Sequence, residues 1–207
     1  MSKPYHHGDL GPALLRAAAE ILEQEGPAGL TLRAAARRAG VSHMAPAHHF
    51  GDLSGLLSEL AAQGYRAFTA RLTAAAEAPG RRSVQRAMGQ AYVAFAQDNP
   101  GMFQLMFQSG RLDFSRPSLA EAAGGASLAL MRSTGATAAN EDGWAGETGR
   151  RALAQAVFDW SVVHGFATLL IDGRLDQVMR VPGAERDAAA LLDDALAAAF
   201  DREVNAA

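Results

Sequence analysis

Apolar residues recur three and four positions apart along most of this chain and seldom alternate with polar ones. That spacing places them on one face of a helix, so it predicts α-helices and argues against β-strands. Helices end where glycine and proline interrupt such a pattern, and the interruptions lie at Gly26-Pro27, Gly40, Pro79-Gly80 and Asn99-Pro100. The sequence therefore predicts an all-α protein built from successive helices.

Three short helices are predicted near the N-terminus. The first carries its apolar face from Leu10 to Leu22, and the second runs over Leu32–Ala39 with Thr31 as its cap. Ser42 offers a cap for the third. Pro46 would then occupy the fourth helical position, where its missing N–H is a defect, so we expect this helix to start late or irregularly.

The remaining predicted helices are mostly longer. They comprise a fourth from Leu53 to before Pro79-Gly80, a fifth from Ser83 to Asn99, a short apolar helix over 102–107, and two final helices near Thr148–Ile171 and Ala184–Asn205. Ser118 and Glu121 form a capping box that predicts the start of another helix. The glycine-rich residues 133–147 are expected to form a loop.

The composition excludes several classes of protein. The 207 residues include no cysteine, which excludes disulfides, thiol chemistry and thiolate metal sites. A chain of this length can bury a core without such cross-links. Because the formal net charge is −3, any contact with nucleic acid must use a local surface rather than the overall charge.

The sequence also bears on location. The N-terminal residues lack the apolar run and cleavage site of a secretion signal, so we expect a cytoplasmic protein. Residues 152–171 are about long enough to cross a bilayer. They contain Gln155, Asp159 and His164, and a mid-span aspartate costs about 2.5–3.5 kcal/mol on insertion scales. We therefore expect a helix buried in protein and no contact with a membrane.

Residues 31–50 have the pattern of a helix, a glycine turn and a second helix. In DNA-binding proteins this arrangement lets one helix brace across the backbone while the next enters the major groove. The alternative is an ordinary αα-corner in a helical core, a turn that recurs in all-α folds. Arg37 and Arg38 lie at the C-terminal end of the first of these two helices, where we expect ion pairs rather than base contacts. Residues 1–57 carry five basic and five acidic side chains, a balance that does not favour nucleic acid.

Motifs at both ends of the chain resemble TetR-type transcriptional regulators. The N-terminal motifs are Tyr5-His6-His7-Gly8-Asp9-Leu10, Leu30-Thr31-Leu32-Arg33, Ala36-Arg37-Arg38-Ala39-Gly40-Val41-Ser42, and His49-Phe50 followed by Leu56-Leu57. Farther on, the motif of Trp160, His164 and Gly165 is similar to the branch of that family named for its Trp-His-Gly signature, and Asn99-Pro100 with the 102–107 helix is also similar to that branch. The resemblance covers nearly the whole chain.

The resemblance implies a homodimeric, repressor-like regulator with two domains. Residues 1–57 would form a three-helix helix-turn-helix head that binds double-stranded DNA. Residues 58–207 would form a helical body that binds a small apolar effector and dimerises through the last two helices. A two-fold dimer would place its recognition segments about 34–36 Å apart on DNA, or a multiple of that, so the operator is expected to be palindromic.

The candidate DNA contacts follow from the motif positions. They are Thr31, Arg33, Ser42, His43, Met44, His48 and His49. Thr31 is also explained as a plain helix cap, and His43 as a solvated surface residue. Ala47 stands where the family usually has a tyrosine, and Leu53 where it usually has a phosphate-binding lysine. Two contacts to the DNA backbone are therefore expected to be missing.

Large apolar residues in the second half of the chain are candidates for lining a ligand cavity. With one histidine they are Tyr92, Phe95, Phe103, Met106, Phe107, Met131, Phe158 and His164. Aromatic residues and methionines at helical spacing are more often ordinary core residues. Trp160 and His164 lie four apart on one helix and must touch. His164 is therefore either a polar group at a pocket or dimer seam, or a buried histidine bonded to a backbone carbonyl.

No pattern indicates catalysis, a cofactor or a metal. The chain has no glycine-rich phosphate loop, no His-Glu-x-x-His motif and no nucleophile elbow. His6-His7 and His48-His49 are adjacent pairs, which point about 100° apart on a helix and make no metal clamp. The alternative to a DNA-binding regulator is a dimeric small-molecule or protein-binding module, since Ala47, Pro46 and Leu53 would weaken DNA binding.

Overall fold

Helices make up most of the described chain, and the all-α prediction is confirmed. The computed structural model describes residues 10–79, 83–132, 146–182 and 185–201, and no residue in these ranges forms a strand. The helices are α1 (Leu10–Gly29), α2 (Leu32–Ala39), α3 (Ala45–Phe50), α4 (Leu53–Glu77), α5 (Val84–Asp98), α6 (Pro100–Met106), α7 (Pro117–Arg132), α8 (Glu147–Ile171), α9 (Asp176–Met179) and α10 (Ala188–Phe200). A 3₁₀ turn covers Ser109–Arg111.

The first two helices begin and end as the sequence predicts. Gly26 has a φ of 69°, which interrupts α1 with a kink at the predicted end, and a short helical turn from Pro27 to Gly29 follows the kink. Thr31 caps α2, because its Oγ1 accepts the backbone N–H of Ala34 at 3.1 Å. Gly40 then adopts the left-handed conformation, with a φ of 68°, and turns the chain toward α3.

The third helix starts late, as predicted. α3 begins at Ala45, which puts Pro46 in the first turn, where no intrahelical partner awaits its missing N–H. Ser42 does not cap this helix as expected. Its Oγ instead accepts the backbone N–H of Met44 at 3.4 Å, within the turn that precedes the helix.

Two details of the later helices were predicted wrongly. α7 begins at Pro117, one residue before the expected cap, because proline is favoured at the first helical position. Ser118 lies inside the first turn, and its Oγ donates to Glu59 Oε1 of α4 at 2.7 Å. The four-residue α9 was not predicted, because so short a helix carries no period.

Parts of three predictions lie outside the described residues. These parts are the N-terminal motif before residue 10, the loop over residues 133–145, and the last predicted helix at 184 and beyond residue 201.

The described helices divide into two compact units. Unit 1 comprises the described residues up to Arg66 together with Asn99–Gly124, and unit 2 comprises Ala67–Asp98 with the described residues from Gly125 onward. The division falls inside α4 and inside α7. In unit 1, α1 packs on α2 and α6, and α2 packs on α3. In unit 2, α5 packs on α8 and α10. The boundary after residue 57 is a division by function and stays a prediction.

Helix α8 is apolar yet only partly buried within its own chain. It is the one described helix that is long and apolar enough, by length and composition alone, to cross a membrane, and 22% of its apolar window is buried. We expected this helix to be buried in protein. Contacts within a single chain bury only a small part of its apolar surface. Its exposed large apolar residues are Leu153, Val157, Phe158, Trp160 and Leu169.

Candidate nucleic-acid interface and candidate ligand cavity

The helix-turn-helix of α2 and α3 forms because one side of each helix is buried in unit 1. Ala34, Ala35 and Ala36 of α2 are buried, as are Pro46 and Phe50 of α3. A six-residue helix is too short to be stable by propensity alone. The buried pair on α3 therefore fixes where this helix lies.

The seven predicted DNA contacts are all exposed to solvent. They are Thr31, Arg33, Ser42, His43, Met44, His48 and His49. Met44 is the most exposed of the large hydrophobic residues, at 62%, and it stands directly before α3. None of the seven belongs to the buried core; contact with DNA itself stays a prediction.

Charge on this segment is of one sign. Residues 31–51 contain Arg33, Arg37 and Arg38 and no acidic residue, because the acidic residues of the first 57 positions lie before or after them. Arg38 is turned toward α1, with its guanidinium 3.4 Å from Glu20 and 3.5 Å from Glu25, so the ion pairing predicted for it is confirmed. The exposed Arg33 and Arg37 make this surface locally basic. The net charge of zero over residues 1–57 did not predict it.

One predicted DNA contact, His49, also takes part in packing. Its ring centroid lies 4.6 Å from that of Phe50, edge to face. A β-carbon built on Gly11 of α1 would come within 3.0 Å of His49 Cε1. His49 thus helps to hold α3 against α1, a role that would persist without DNA.

Residues that follow α6 hold the C-terminal end of α3. Arg116 Nη2 donates to the backbone oxygen of Phe50 at 2.7 Å. Arg111 Nη1 donates to the backbone oxygen of Pro27 at 2.9 Å, at the end of α1. The backbone N–H of Asp113 donates to a side-chain oxygen of α4 at 2.8 Å. These bonds explain why residues 99–124 belong to the same compact unit as the helix-turn-helix.

The predicted cavity residues are distributed over both units. Phe103, Met106 and Phe107 belong to unit 1, and Tyr92, Phe95, Met131, Phe158 and His164 belong to unit 2. Tyr92 and Phe95 are buried and pack edge to face on Phe68, with ring centroids 4.9 and 5.2 Å from it. Phe158 is 46% exposed. The role of these eight residues in ligand binding stays a prediction.

The Trp-His pair of α8 meets a buried tyrosine of α5. Trp160 Nε1 donates to the Tyr92 hydroxyl at 3.1 Å, and that hydroxyl lies 2.9 Å from His164 Nδ1. Burial lowers the pKa of His164, so the imidazole is neutral at pH 7 and its Nδ1 can accept the tyrosine proton. The spacing of four thus brings both side chains to the Tyr92 hydroxyl.

A small cavity in unit 2 lies beside this tyrosine. Its volume is about 20 Å³, room for about one water molecule. The lining residues are Gln85, Met88, Gly89, Tyr92, Leu130, Ala156, Asp159, Trp160, Val163 and Phe200. Of the eight predicted residues, this lining includes Tyr92 alone.

Asp159 gives this cavity its charge, and the sequence analysis did not assign it to a site. It is 7% exposed, and its Oδ1 accepts a hydrogen bond from Gln155 Nε2 at 2.6 Å. Burial raises the pKa of its carboxyl, against a smaller opposing effect of that hydrogen bond. Among the described residues, no group of three or more acidic, histidine or cysteine side chains could hold a metal ion.

An exposed helix-turn-helix on an otherwise helical chain defines the class of helical DNA-binding regulators. Two family models match the chain: "Bacterial regulatory proteins, tetR family" over residues 14–60, and "Tetracyclin repressor-like, C-terminal domain" over residues 85–203. The chain belongs to the TetR family of transcriptional regulators, which is a family of regulators rather than of enzymes. The resemblance at both ends of the sequence is confirmed.

Individual relatives are similar over different lengths. An uncharacterized helix-turn-helix regulator of Bacillus subtilis strain 168, YobS, is 33% identical over 92 residues, which are 44% of this chain and 48% of that protein. The chain thus spans about half the length of the curated relative it matches. A protein of unknown function from Rhodococcus sp. RHA1 is 31% identical, with a TM-score of 0.70 over 97% of this chain and 96% of that one. A TetR-family regulator from Shewanella sp. PV-4, 19% identical with a TM-score of 0.60, covers 93% and 96% and shares the fold.

Proposed function

We propose that this protein is a ligand-responsive repressor that binds a palindromic operator on double-stranded DNA as a cytoplasmic homodimer. The observation that carries the proposal is the exposed, acid-free surface of residues 31–51 in a member of the TetR family. Regulators of this family bind DNA operators and small-molecule effectors and form dimers. In the proposal, residues 1–57 bind DNA, and residues 58–207 bind the effector and dimerise.

The proposed DNA contacts differ in what they recognise. The Thr31 hydroxyl accepts an N–H of its own helix and can still donate its own O–H to phosphate, beside the remaining N–H groups of α2 and the guanidinium of Arg33. His43 and Met44 stand directly before α3 and would reach base edges in the major groove. Ser42, His48 and His49 complete the proposed interface.

The apolar face of α8 supports a homodimer. Between residues 152 and 171 the only charged side chain is Asp159, which is buried. Val157 is 50% exposed and Phe158 46%. A face of this kind needs a partner, and a second copy of α8, with α10 beside it, is the one we propose. This makes a membrane unnecessary as the cover for α8.

A glycine in α8 adds to the case for a close helix contact. A glycine inside a helix costs about 0.5–1 kcal/mol relative to alanine. A β-carbon built on Gly165 would meet no described atom within 4 Å, so packing inside one chain does not require glycine there. Ser161, another small residue, precedes it by four positions and shares its side of the helix. Small residues in such a row let a second helix approach closely.

The proposed effector is a small, largely apolar molecule bound in residues 58–207. To change operator binding it must bind the two states of the dimer with different affinities, and such coupling is typically about 1–3 kcal/mol. Helix α4 is continuous and contributes residues to both units, so it is the proposed mechanical link between effector and DNA. Of the predicted lining residues, Tyr92 and His164 are the two that connect to the cavity of unit 2.

Selection of bound fragments from the source genome with the purified protein tests the proposal, because it yields the operator and its neighbouring genes together. A palindromic consensus and a steep salt dependence are expected. Failure to enrich any sequence, or affinity for the enriched fragments that does not change with salt, would contradict it.

Arg33→Ala is expected to weaken binding to the selected operator and to unrelated DNA by similar factors, because a phosphate contact carries no sequence information. Each phosphate contact contributes about 0.9 to the slope of log affinity against log salt. A dimer should therefore lose about 1.8 of that slope, measured by salt-titrated mobility shifts. Arg132→Ala, at the exposed end of α7, is the matched control and should leave the slope unchanged.

The alternative of a binding module with weakened DNA affinity rests on Ala47, Pro46 and Leu53, and substitution tests the first and the last of these. Ala47 and Leu53 are half-buried, so each has room for a larger side chain that extends into solvent. If missing backbone contacts limit affinity, the double variant Ala47→Tyr and Leu53→Lys should bind the operator more tightly and with a steeper salt dependence in the same mobility-shift assay. Unchanged affinity would mean that other contacts have replaced them.

A further inference from the structure

The cavity of unit 2 contains a carboxylate with no opposite charge beside it. Asp159 is 7% exposed and lines the cavity. Its hydrogen-bond partner is the neutral Gln155 amide. None of the ion pairs among the described residues includes Asp159, and the cavity lining contains no lysine, arginine or histidine.

A buried carboxylate of this kind is costly to keep. Moving a charge out of water without a counter-charge destabilises the folded state, and the raised pKa of Asp159 reflects that cost. Asparagine has nearly the same shape and would carry no such penalty. A destabilising charge at a cavity is a mark of a ligand site, because stability is commonly sacrificed where a ligand must be recognised.

The surroundings of Asp159 suit a cation that carries an apolar body. Met88, Val163 and Ala156 make the wall apolar, and Trp160 and Tyr92 contribute aromatic rings. Aromatic ring faces attract ammonium groups. The Trp160 N–H donates to the Tyr92 hydroxyl, so these two side chains are fixed with respect to each other.

The size of the cavity limits the charged group that can enter it. A volume of about 20 Å³ admits one group of about the size of a water molecule, such as a primary ammonium. The cavity has a rim that solvent reaches, because Gln85, Leu130 and Phe200 are half-buried and Trp160 is 39% exposed. The apolar body of a ligand would lie against this rim.

We propose that the cavity of unit 2 binds a primary organic amine in its cationic form, with Asp159 as counter-charge and Trp160 and Phe200 packed on the apolar body. The proposal rests on the proposed function, because it names the chemical class of the effector. It excludes carboxylic acids, which Asp159 would repel. A divalent metal ion is disfavoured, since a single carboxylate is too small a set of oxygen ligands.

Calorimetric titration of the full-length protein with three matched probes tests the charge requirement. 2-Phenylethylamine, 2-phenylethanol and 3-phenylpropanoate share the aromatic body and differ in charge. The amine should bind at least tenfold more tightly than the alcohol, and the acid should not bind. Equal affinity of amine and alcohol, or no binding of the amine, would overturn the proposal.

The variant Asp159→Asn separates a ligand site from a structural role. It should lose at least tenfold of the amine affinity, keep the affinity for the alcohol, and melt at the same or a higher temperature than the unsubstituted protein. Asp172→Asn, at the exposed C-terminal end of the same helix, should retain amine binding. An Asp159→Asn variant that melts lower, or that binds the amine as before, contradicts the assignment.

Operator binding provides a readout that is independent of the cation site. If the amine fails to bind while the protein still selects a palindromic operator, the cation site is wrong and the regulator proposal stands. If the amine binds and no operator is selected, the cavity is a ligand site in a protein whose DNA function is wrong. If the amine binds and changes operator affinity, both are supported.

Discussion

Phe158→Glu is expected to convert the protein to folded monomers and to weaken operator binding by about a hundredfold or more. Phe158 is 46% exposed on the uncharged face of α8, so glutamate there meets water in a monomer and is accommodated at little cost. In a dimer the two carboxylates would be buried near each other across the two-fold axis, without counter-charges. Loss of the dimer removes the effective concentration that links two half-sites, which is worth about 10²–10⁴ in affinity.

Sedimentation velocity and mobility shifts on the same preparation measure both parts of this expectation, and thermal melting verifies that the variant is folded. Phe114→Glu is the matched control, because Phe114 is 43% exposed in the turn before α7 and lies outside the proposed interface. It should remain dimeric and bind DNA. A dimeric Phe158→Glu variant would place the interface elsewhere, and a monomer with full operator affinity would show that binding does not need a dimer.

The helix boundaries that could be predicted are those set by backbone chemistry. Gly26-Pro27 and Asn99-Pro100 end or begin helices because glycine adopts a positive φ and proline lacks an N–H. The predicted start at Ser83 is close to the observed one, since α5 begins at Val84 and the Ser83 Oγ accepts the Arg86 N–H at 3.1 Å. Such signals act over a few residues, so a single sequence contains them in full.

The wrongly predicted boundaries depended on distant residues or on competing local signals. Ser118 has the sequence of a helix cap, but Pro117 takes the first helical position and the hydroxyl bonds to Glu59 on another helix. Ser42 likewise does not cap α3, because the helix starts later, at Ala45, as Pro46 predicted. Where two local signals compete for the start of a helix, tertiary contacts determine which start forms. The periodicity of apolar residues contains no information on those contacts.

The candidate cavity was harder to predict than the fold. Helical spacing identified Tyr92, Phe95 and Phe103 correctly as residues to be buried. A prediction of burial does not say to which of the two units a residue belongs. Asp159 did carry a signal, because it is an acidic residue in the middle of an apolar helix. From the sequence, this aspartate argues against a membrane span. A charged residue in the middle of an apolar helix also indicates a ligand site, and the structure places Asp159 in the lining of a cavity.

The net charge of the first 57 residues did not predict where charge lies on the surface of unit 1. A total over residues 1–57 averages α1, which is acidic, with residues 31–51, which hold no acid. The ion pairs of Arg38 with α1 show that the charge of this arginine is balanced inside the unit. The charges of Arg33 and Arg37 remain on the surface. The relevant quantity for DNA binding is the charge on the exposed segment.

Arg116→Ala is expected to lower operator affinity about tenfold or more, although Arg116 is not among the proposed DNA contacts. Its Nη2 donates to the Phe50 oxygen at 2.7 Å, and its Nη1 lies 3.7 Å from Glu59 Oε1. A hydrogen bond from a charged donor contributes about 1.5–3 kcal/mol, and the lower end applies because this side chain is partly exposed. The six-residue α3 depends on such tertiary bonds for its position, so its C-terminal end should become mobile.

Hydrogen exchange over residues 45–51 and mobility shifts with the selected operator measure this effect. Faster exchange should accompany weaker binding, together with a lower melting temperature, because the same bond supports helix position and fold. Arg116→Lys should fall between the variant and the unsubstituted protein, since one ammonium cannot replace the several donors of a guanidinium. Arg132→Ala, an exposed arginine of α7, is the control. Unchanged exchange and unchanged affinity in Arg116→Ala would mean that Pro46 and Phe50 alone position the recognition helix, and that residues 99–124 pack against the helix-turn-helix without controlling it.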